Sequence, residues 1–172
     1  MRGEFVVKPA LCLDLDGTVR YSAIGEFINV PSDIRIFEGV EEIIWEYKNK
    51  GFLIMAASNQ GGVAFGHKTP EQEQQEIGYM EMLFEHNPFD IICSSYSQRG
   101  GTVPMFAHRS LLRKPAYGML VLAEYQAFHA MSIVIDWDHS IFVGDRDEDR
   151  WCADNAGVSF IYANKFFGRE TV

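Results

Sequence analysis

Two aspartates one residue apart, Asp14 and Asp16, end the first apolar run of the chain and are followed by a glycine and a threonine. Side chains alternate along a strand, so a strand over residues 11–15 starts both carboxylates on one side and turns Leu15 into the core. Carboxylates this close repel each other unless a cation lies between them or they differ in protonation. The pair therefore predicts reactive chemistry, although Asp-Gly is also a common turn signal.

Polar residues also follow two later apolar runs. Residues 52–57 lead directly into Ser58 and Asn59, and residues 141–143 lead through a glycine into Asp145. In an open parallel sheet, ligands bind outside the carboxyl ends of the strands, so these side chains are expected at one edge. Lys114, which follows a long irregular stretch, is the natural cation to join them.

The elements that must position these residues follow an alternating pattern. Short apolar runs at 11–15, 52–57, 89–93, 141–143 and 158–162 alternate with helical patterns, the third of which is expected to open at Lys114-Pro115. Such alternation predicts an α/β fold of three α/β/α layers, a doubly wound parallel sheet covered on both faces. Residues 19–31 suit a short hairpin or flap over the carboxylates. The loop at 94–112 is long enough to be functional or mobile, and we expect it to contact substrate.

Composition narrows the class of protein. A chain of 172 residues with no repeat or linker is expected to form a single domain over residues 1–172. A net charge of -9 counts modestly against a polynucleotide ligand. No run approaches the roughly 20 apolar residues of a membrane span, and the N-terminus lacks a signal-peptide core, so we expect no membrane association and a cytoplasmic location. Three scattered cysteines predict reduced thiols and no zinc site.

Three carboxylates, a hydroxyl, an amide and an ammonium suit phosphoryl transfer, which depends on positioning and on neutralising charge. A carboxylate that attacks phosphorus forms an acyl phosphate, and a second carboxyl can protonate the leaving oxygen and then activate water. A hard divalent cation is needed to screen the carboxylates from a phosphate dianion, and Mg²⁺ fits because it accepts oxygen ligands and a substrate phosphate oxygen.

Four motifs in order carry a resemblance to a known family: DLDGTV at 14–19, SN at 58–59, RKP at 113–115 and GDRDED at 144–149. With them the chain resembles the haloacid dehalogenase-like (HAD) superfamily from residue 11 to about residue 167. By this resemblance Asp14 is the nucleophile and Asp16 the general acid and base. Ser58 and Lys114 would bind the phosphate and take part in catalysis, and Asn59 would help to position the substrate.

The resemblance also implies a metal site. The Mg²⁺ ligands would be the Asp14 carboxylate, the Asp16 backbone carbonyl and Asp145. Thr18 and Asp149 would lie behind these ligands, with Asp149 acting from there or through water.

Within the superfamily the chain looks most like the small branch without a large cap, which includes histidinol-phosphate phosphatases, heptose bisphosphate phosphatases and polynucleotide 3′-phosphatase domains. The bacterial histidinol and heptose enzymes commonly carry a loop of three cysteines and a histidine that binds zinc, whereas this chain offers only Cys93 and His108 there. The expected substrate is therefore a phosphorylated metabolite or a polynucleotide 3′-phosphate end. Arg99 and Arg109 are candidates for binding a second phosphate or a nucleic-acid backbone.

Two other functions compete with a phosphatase. A dehalogenase needs the first aspartate but no carboxyl at the acid position, so Asp16 argues against it. A non-catalytic binding or regulatory module of the same fold could lose Asp14, Asp16, Lys114 or Asp145 without penalty, yet all four are present.

Overall fold

The computed structural model describes residues 4–169. The strands are β1 Val6–Lys8, β2 Ala10–Leu13, β3 Arg20–Ser22, β4 Ile34–Ile36, β5 Leu53–Asn59, β6 Ile91–Ser95, β7 Ile133–Ile135, β8 Ile141–Gly144 and β9 Ser159–Tyr162. The helices are α1 Val40–Asn49, α2 Pro70–Leu83, α3 Gly118–Met131, α4 Asp147–Ala156 and the short α5 Ala163–Phe166.

Five parallel strands form the central sheet, in the order β6-β5-β2-β8-β9. They correspond to the five apolar runs, and the predicted parallel α/β sheet is confirmed. Alternation along β5 divides the core: Met55 packs with α3 and α4 in one cluster, whereas Ile54 packs with α1, α2 and α5 in the other. The sheet therefore has helices on both faces, as its strands, buried on both sides, require.

The start of α3 differs from the prediction. The helix begins at Gly118, four residues after Lys114, where the sequence pattern was expected to open it. The Asn59 side chain accepts a hydrogen bond from the Lys114 backbone N–H (3.0 Å) and donates one to its carbonyl oxygen (3.1 Å). These bonds hold the Lys114 backbone beside the end of β5, so it does not join the helix.

The second helix begins at a capping box. Thr69 is the N-cap of α2, its hydroxyl accepts from the Gln72 backbone N–H, and the Gln72 side chain accepts from the Thr69 N–H. This reciprocal capping box satisfies two amide groups that the first turn leaves without helical partners. It fixes the point at which the chain passes from the glycine-rich turn after β5 into the helix.

Two small pairings lie outside the central sheet. The antiparallel hairpin of β3 and β4 forms the predicted flap, with residues 23–33 between its strands. β1 pairs in parallel with β7, a pairing that the sequence pattern did not predict. Among residues 4–169, no helix has the length and apolar character needed to cross a bilayer.

Candidate active site

A cavity of about 870 Å³ opens at the carboxyl ends of the central strands. Its wall is shared by the strand ends, by the flap and by the turn that follows β5. The lining includes Asp14, Asp16, Asn59 and Asp149 from the predicted set, together with flap residues from Tyr21 to Asn29. The topology thus brings residues that are more than a hundred positions apart in the sequence to one sheet edge.

At the base of the cavity, a buried lysine joins two aspartates. Lys114 Nζ lies 2.6 Å from Asp14 Oδ1 and 2.6 Å from Asp149 Oδ1, and all three side chains are almost fully buried. The ammonium therefore neutralises charge between the end of β2 and the start of α4 and fixes the orientation of Asp14. Asp149 is fixed a second time, because its Oδ2 accepts from the Arg146 backbone N–H at the start of α4.

Asp145 completes an acidic cluster. Carboxylate oxygens of Asp14, Asp145 and Asp149 all lie within 4.8 Å of one another. Gly17 is required for this approach: a Cβ there would lie 2.3 Å from Asp145 Oδ2, and the backbone has φ +91°. A Cβ on Gly144 would likewise lie 2.4 Å from that of Asp149. Gly17 therefore lets Asp145 approach the turn after β2, and Gly144 lets Asp149 of α4 lie against the end of β8.

Asp16 points into the cavity with different partners. Its Oδ1 accepts from Arg20 Nε and its Oδ2 from Gln60 Nε2, each at 2.7 Å, and 40% of the side chain is exposed. Gln60 also donates to Ser58 Oγ, at 2.8 Å. Asp16 is thus reachable from the cavity while both of its carboxylate oxygens are oriented by donors.

The two aspartates have opposite pKa directions. Burial raises the pKa of Asp14 to about 7, and the negative charges of Asp149 and Asp16 add to the rise. The Lys114 ammonium lowers this pKa but does not cancel the effect of burial. For Asp16, partial desolvation at the cavity wall raises the pKa, but the Arg20 guanidinium and the hydrogen bonds from Arg20 and Gln60 outweigh it, so the pKa is lowered. The environment therefore separates the protonation behaviour of two carboxyls that are neighbours in the sequence.

Two of the predicted site residues, Ser58 and Thr18, are buried and do not line the cavity. Ser58 is almost fully buried with its hydroxyl bound to Gln60, and Asn59 fixes the Lys114 backbone. Thr18 is fully buried, and its carbonyl oxygen accepts from Arg169 Nη2 at 2.6 Å. The assignment of Ser58, Asn59 and Lys114 to phosphate binding stays a prediction.

The predicted second-phosphate arginines lie elsewhere. Arg99 and Arg109 are exposed and do not line the cavity, and of residues 94–112 only Gln98 does so. Arg113 and Arg146 are the arginines in the lining. Arg113 Nη1 is buried without a hydrogen-bond partner among the described residues. Its position next to Lys114 in the RKP motif was the signal that could have pointed to it.

Sequence comparison finds relatives with a named activity. The chain is 29% identical over 157 residues to the D-glycero-beta-D-manno-heptose-1,7-bisphosphate 7-phosphatase of Vibrio cholerae. The aligned region covers 89% of this chain and 79% of that protein. It is 30% identical over 154 residues to the enzyme of the same name from Escherichia coli K12, covering 87% and 75%.

A solved structure shares the fold. The D,D-heptose 1.7-bisphosphate phosphatase from B. bronchiseptica, determined with magnesium and phosphate, superposes with a TM-score of 0.72 at 19% identity, covering 95% of this chain and 88% of that one. At this identity the likeness concerns the fold alone.

The sheet order, the strand-end aspartates and the small flap together define a phosphatase of the HAD superfamily, from the branch without a large cap. Within that class the model of one family, described as polynucleotide kinase 3 phosphatase, matches residues 10–167, and the chain belongs to this family.

Proposed function

We propose that the protein is a Mg²⁺-dependent phosphomonoester hydrolase that acts through an aspartyl-phosphate on a small molecule with a second phosphate group. One observation carries the proposal: Asp14 lies at the base of an open cavity, fixed by Lys114 and next to two further carboxylates. This arrangement supports the proposal, because the proposed nucleophile, a cation and hard oxygen donors lie around one point.

The acidic cluster fits a magnesium ion. Its donors are all oxygens, the ligand type that Mg²⁺ prefers, and they are few enough for the ion to keep water and a substrate oxygen. Asp14 and Asp145 are proposed as ligands, together with the Asp16 carbonyl oxygen. Asp149 is already engaged by Lys114 and by the start of α4, so its proposed part is to hold Lys114 in place. Bound Mg²⁺ would supply positive charge that favours the ionised form of Asp14.

In the first half-reaction, an Asp14 carboxylate oxygen attacks phosphorus and forms an acyl phosphate. The bond from phosphorus to the ester oxygen breaks, and Asp16 gives its proton to that oxygen. Lys114 holds Asp14 Oδ1 and offsets negative charge during the attack. A phosphate dianion next to Asp16 raises the pKa of this carboxyl, which counteracts Arg20 and Gln60 and lets Asp16 carry the proton.

In the second half-reaction, Asp16 removes a proton from a water molecule that attacks the acyl phosphate, releasing phosphate and restoring Asp14. The hydrogen bonds from Arg20 and Gln60 favour the ionised form of Asp16, which is the form that a base needs. The same residue can thus serve both steps, because the charge beside it differs between them.

The substrate is proposed to be a phosphorylated small molecule, since the named relatives are heptose bisphosphate phosphatases. A second phosphate would be bound by Arg113 and Arg146 at the rim of the cavity. Burial lowers the pKa of Arg113, although the negative charge of Glu148 opposes this shift. A phosphate bound beside Arg113 would compensate the cost of burying its guanidinium. Arg99 and Arg109 provide the alternative that the sequence predicted.

The test compares three substrates at equal Mg²⁺: a sugar bisphosphate, p-nitrophenyl phosphate and a 3′-phosphorylated oligonucleotide. We expect the bisphosphate to have the highest kcat/KM. Arg113→Ala should lower this value by about tenfold or more, the loss of one charge-assisted contact, and leave hydrolysis of p-nitrophenyl phosphate within about twofold. Arg99→Ala/Arg109→Ala is the matched control and should leave both unchanged.

The contrary outcomes separate the parts of the proposal. A preference for the oligonucleotide would overturn the small-molecule substrate and favour a polynucleotide end. A loss confined to the Arg99→Ala/Arg109→Ala variant would move the second-phosphate site to the 94–112 loop. Full activity in excess chelator would overturn the metal requirement.

A further inference from the structure

The outer segment of the flap, residues 23–30, has one buried residue. Between residues 23 and 30, Ile28 alone is buried, and its side chain packs into the core with α1 and α2. Its carbonyl oxygen accepts a hydrogen bond from Lys68 Nζ, at 3.1 Å. Within residues 23–30, the buried contacts therefore come from the side chain and backbone of Ile28. Most of this segment lines the cavity.

Lys68 is itself fixed by a buried glutamate. Its ammonium lies 2.8 Å and 2.7 Å from the two carboxylate oxygens of Glu76, on the first half of α2. The Lys68 side chain is 11% exposed and that of Glu76 is 1% exposed. A buried pair of this kind carries a desolvation penalty, and removal of one partner leaves the other charge without compensation.

The pair lies next to the charges that orient Asp16. Burial raises the pKa of Glu76, while Lys68 and the Arg20 guanidinium oppose the rise through their positive charges. Arg20 is fully buried and donates Nε to Asp16. Two separate ion pairs, Arg20 with Asp16 and Lys68 with Glu76, thus influence each other through their charges, and their total charge is neutral.

We propose that Lys68 and Glu76 are positioning residues for the phosphatase reaction, which fix the flap over the cavity by binding the Ile28 carbonyl to α2. Neither residue is placed in contact with the reacting atoms. Their effect is to restrict the flap, so that the substrate meets a formed wall, and misplacement by about 1 Å can cost on the order of a hundredfold in rate. The kinetic part of this inference rests on the proposed function.

The alternative is that the pair only stabilises α2. A matched control exists in the chain, because Lys48 Nζ likewise binds one carboxylate, of Asp90, and one backbone carbonyl, of Pro88, away from the cavity. Lys48→Met therefore removes a similar set of contacts without touching the flap.

The first measurement is hydrogen exchange of the flap, residues 21–33, in the unliganded protein. Lys68→Met should accelerate exchange there by about fivefold or more, the factor that one net hydrogen bond supplies. Lys68→Met/Glu76→Gln avoids an uncompensated buried carboxylate and should show the same effect if the single variant fails to fold. Lys48→Met should leave flap exchange unchanged.

The second measurement is steady-state kinetics. Lys68→Met/Glu76→Gln should raise KM for a bisphosphate and lower kcat/KM by about tenfold, within the range that misplaced substrate contacts cost. Lys68→Arg, which keeps a cation in reach of both acceptors, should recover most of the loss.

The inference would be overturned if flap exchange in Lys68→Met and in Lys68→Met/Glu76→Gln equalled that of the wild type. A kinetic loss no larger than that of Lys48→Met at matched thermal stability would also overturn it. If the wild-type protein hydrolyses no phosphomonoester, the proposed function fails, while the exchange measurement still decides whether Lys68 anchors the flap.

Discussion

Replacement of Asp14 by asparagine should abolish activity and at the same time stabilise the fold. Asparagine nearly preserves the shape of the side chain but cannot ionise. In the wild type, burial and the neighbouring carboxylates raise the pKa of Asp14 to about 7 from an ordinary value of 3.8. Folding in the absence of metal therefore has to hold a carboxylate in a site that disfavours its charge.

The sign of the pH dependence follows from the raised pKa. Below about pH 4, Asp14 is protonated in both states, and the variant should match the wild type in this respect. As pH rises from about 4 to about 7, the unfolded chain loses the proton and the folded protein retains it, so wild-type stability falls relative to the variant. Above pH 7 the difference is constant.

The size of the effect is set by the two pKa values. The interval between 3.8 and about 7, at about 1.4 kcal/mol per pH unit, corresponds to about 4 kcal/mol at pH 8. For a domain of this length, 1 kcal/mol moves the melting temperature by about 2–4 °C, so an increase on the order of 10 °C is the upper bound. Turnover should fall by about a hundredfold or more, as for loss of an essential catalytic group.

The assay is thermal unfolding of both proteins in chelator between pH 4.5 and 8, with phosphate release measured in Mg²⁺. Asp33→Ala is the control: Asp33 is also buried, but its Oδ2 accepts hydrogen bonds from the Asn29 and Val30 backbone N–H groups, so removal of this acceptor should lower the melting temperature. An Asp14→Asn protein less stable than wild type at pH 8, or one that keeps more than about a tenth of wild-type kcat, would refute the reasoning.

Three further predictions concern metal, charge and local structure. Mg²⁺ at a hundred times its dissociation constant should stabilise the wild type by about 3 kcal/mol in thermal unfolding, and Asp145→Asn should remove most of this shift; an unchanged shift would place the metal elsewhere. Lys114→Met leaves two buried aspartates without their cation and should lower the unfolding free energy in denaturant titrations by about 3–5 kcal/mol; a loss below about 1 kcal/mol would mean that these carboxyls are neutral. Thr69→Ala should cost about 1 kcal/mol in the same titration through the lost N-cap, whereas Thr69→Ser should cost much less.

The sequence by itself determined the layers of the fold and the strand ends that carry Asp14, Asp16, Asn59 and Asp145. These features are local: an apolar run buried on both faces, followed by polar residues or glycine, specifies a central strand and its exit whatever surrounds it. The capping box at Thr69 is local in the same way. The start of α3 was predicted wrongly, because a hydrogen-bonding side chain from β5 decides it.

The tertiary structure decided which charges meet. The sequence favoured Arg99 and Arg109 because they lie in a long loop, yet the path of that loop leaves both outside the cavity lining and brings Arg113 into it. Nothing in the local pattern indicates that Lys68 pairs with Glu76 beneath the flap. The sequence pointed to Lys114 as the cation that joins the strand ends, but only the structure shows that it pairs with Asp14 and with Asp149 of α4. Such pairings depend on distances between elements far apart in the chain, and in a buried site those distances determine which carboxyl holds its proton.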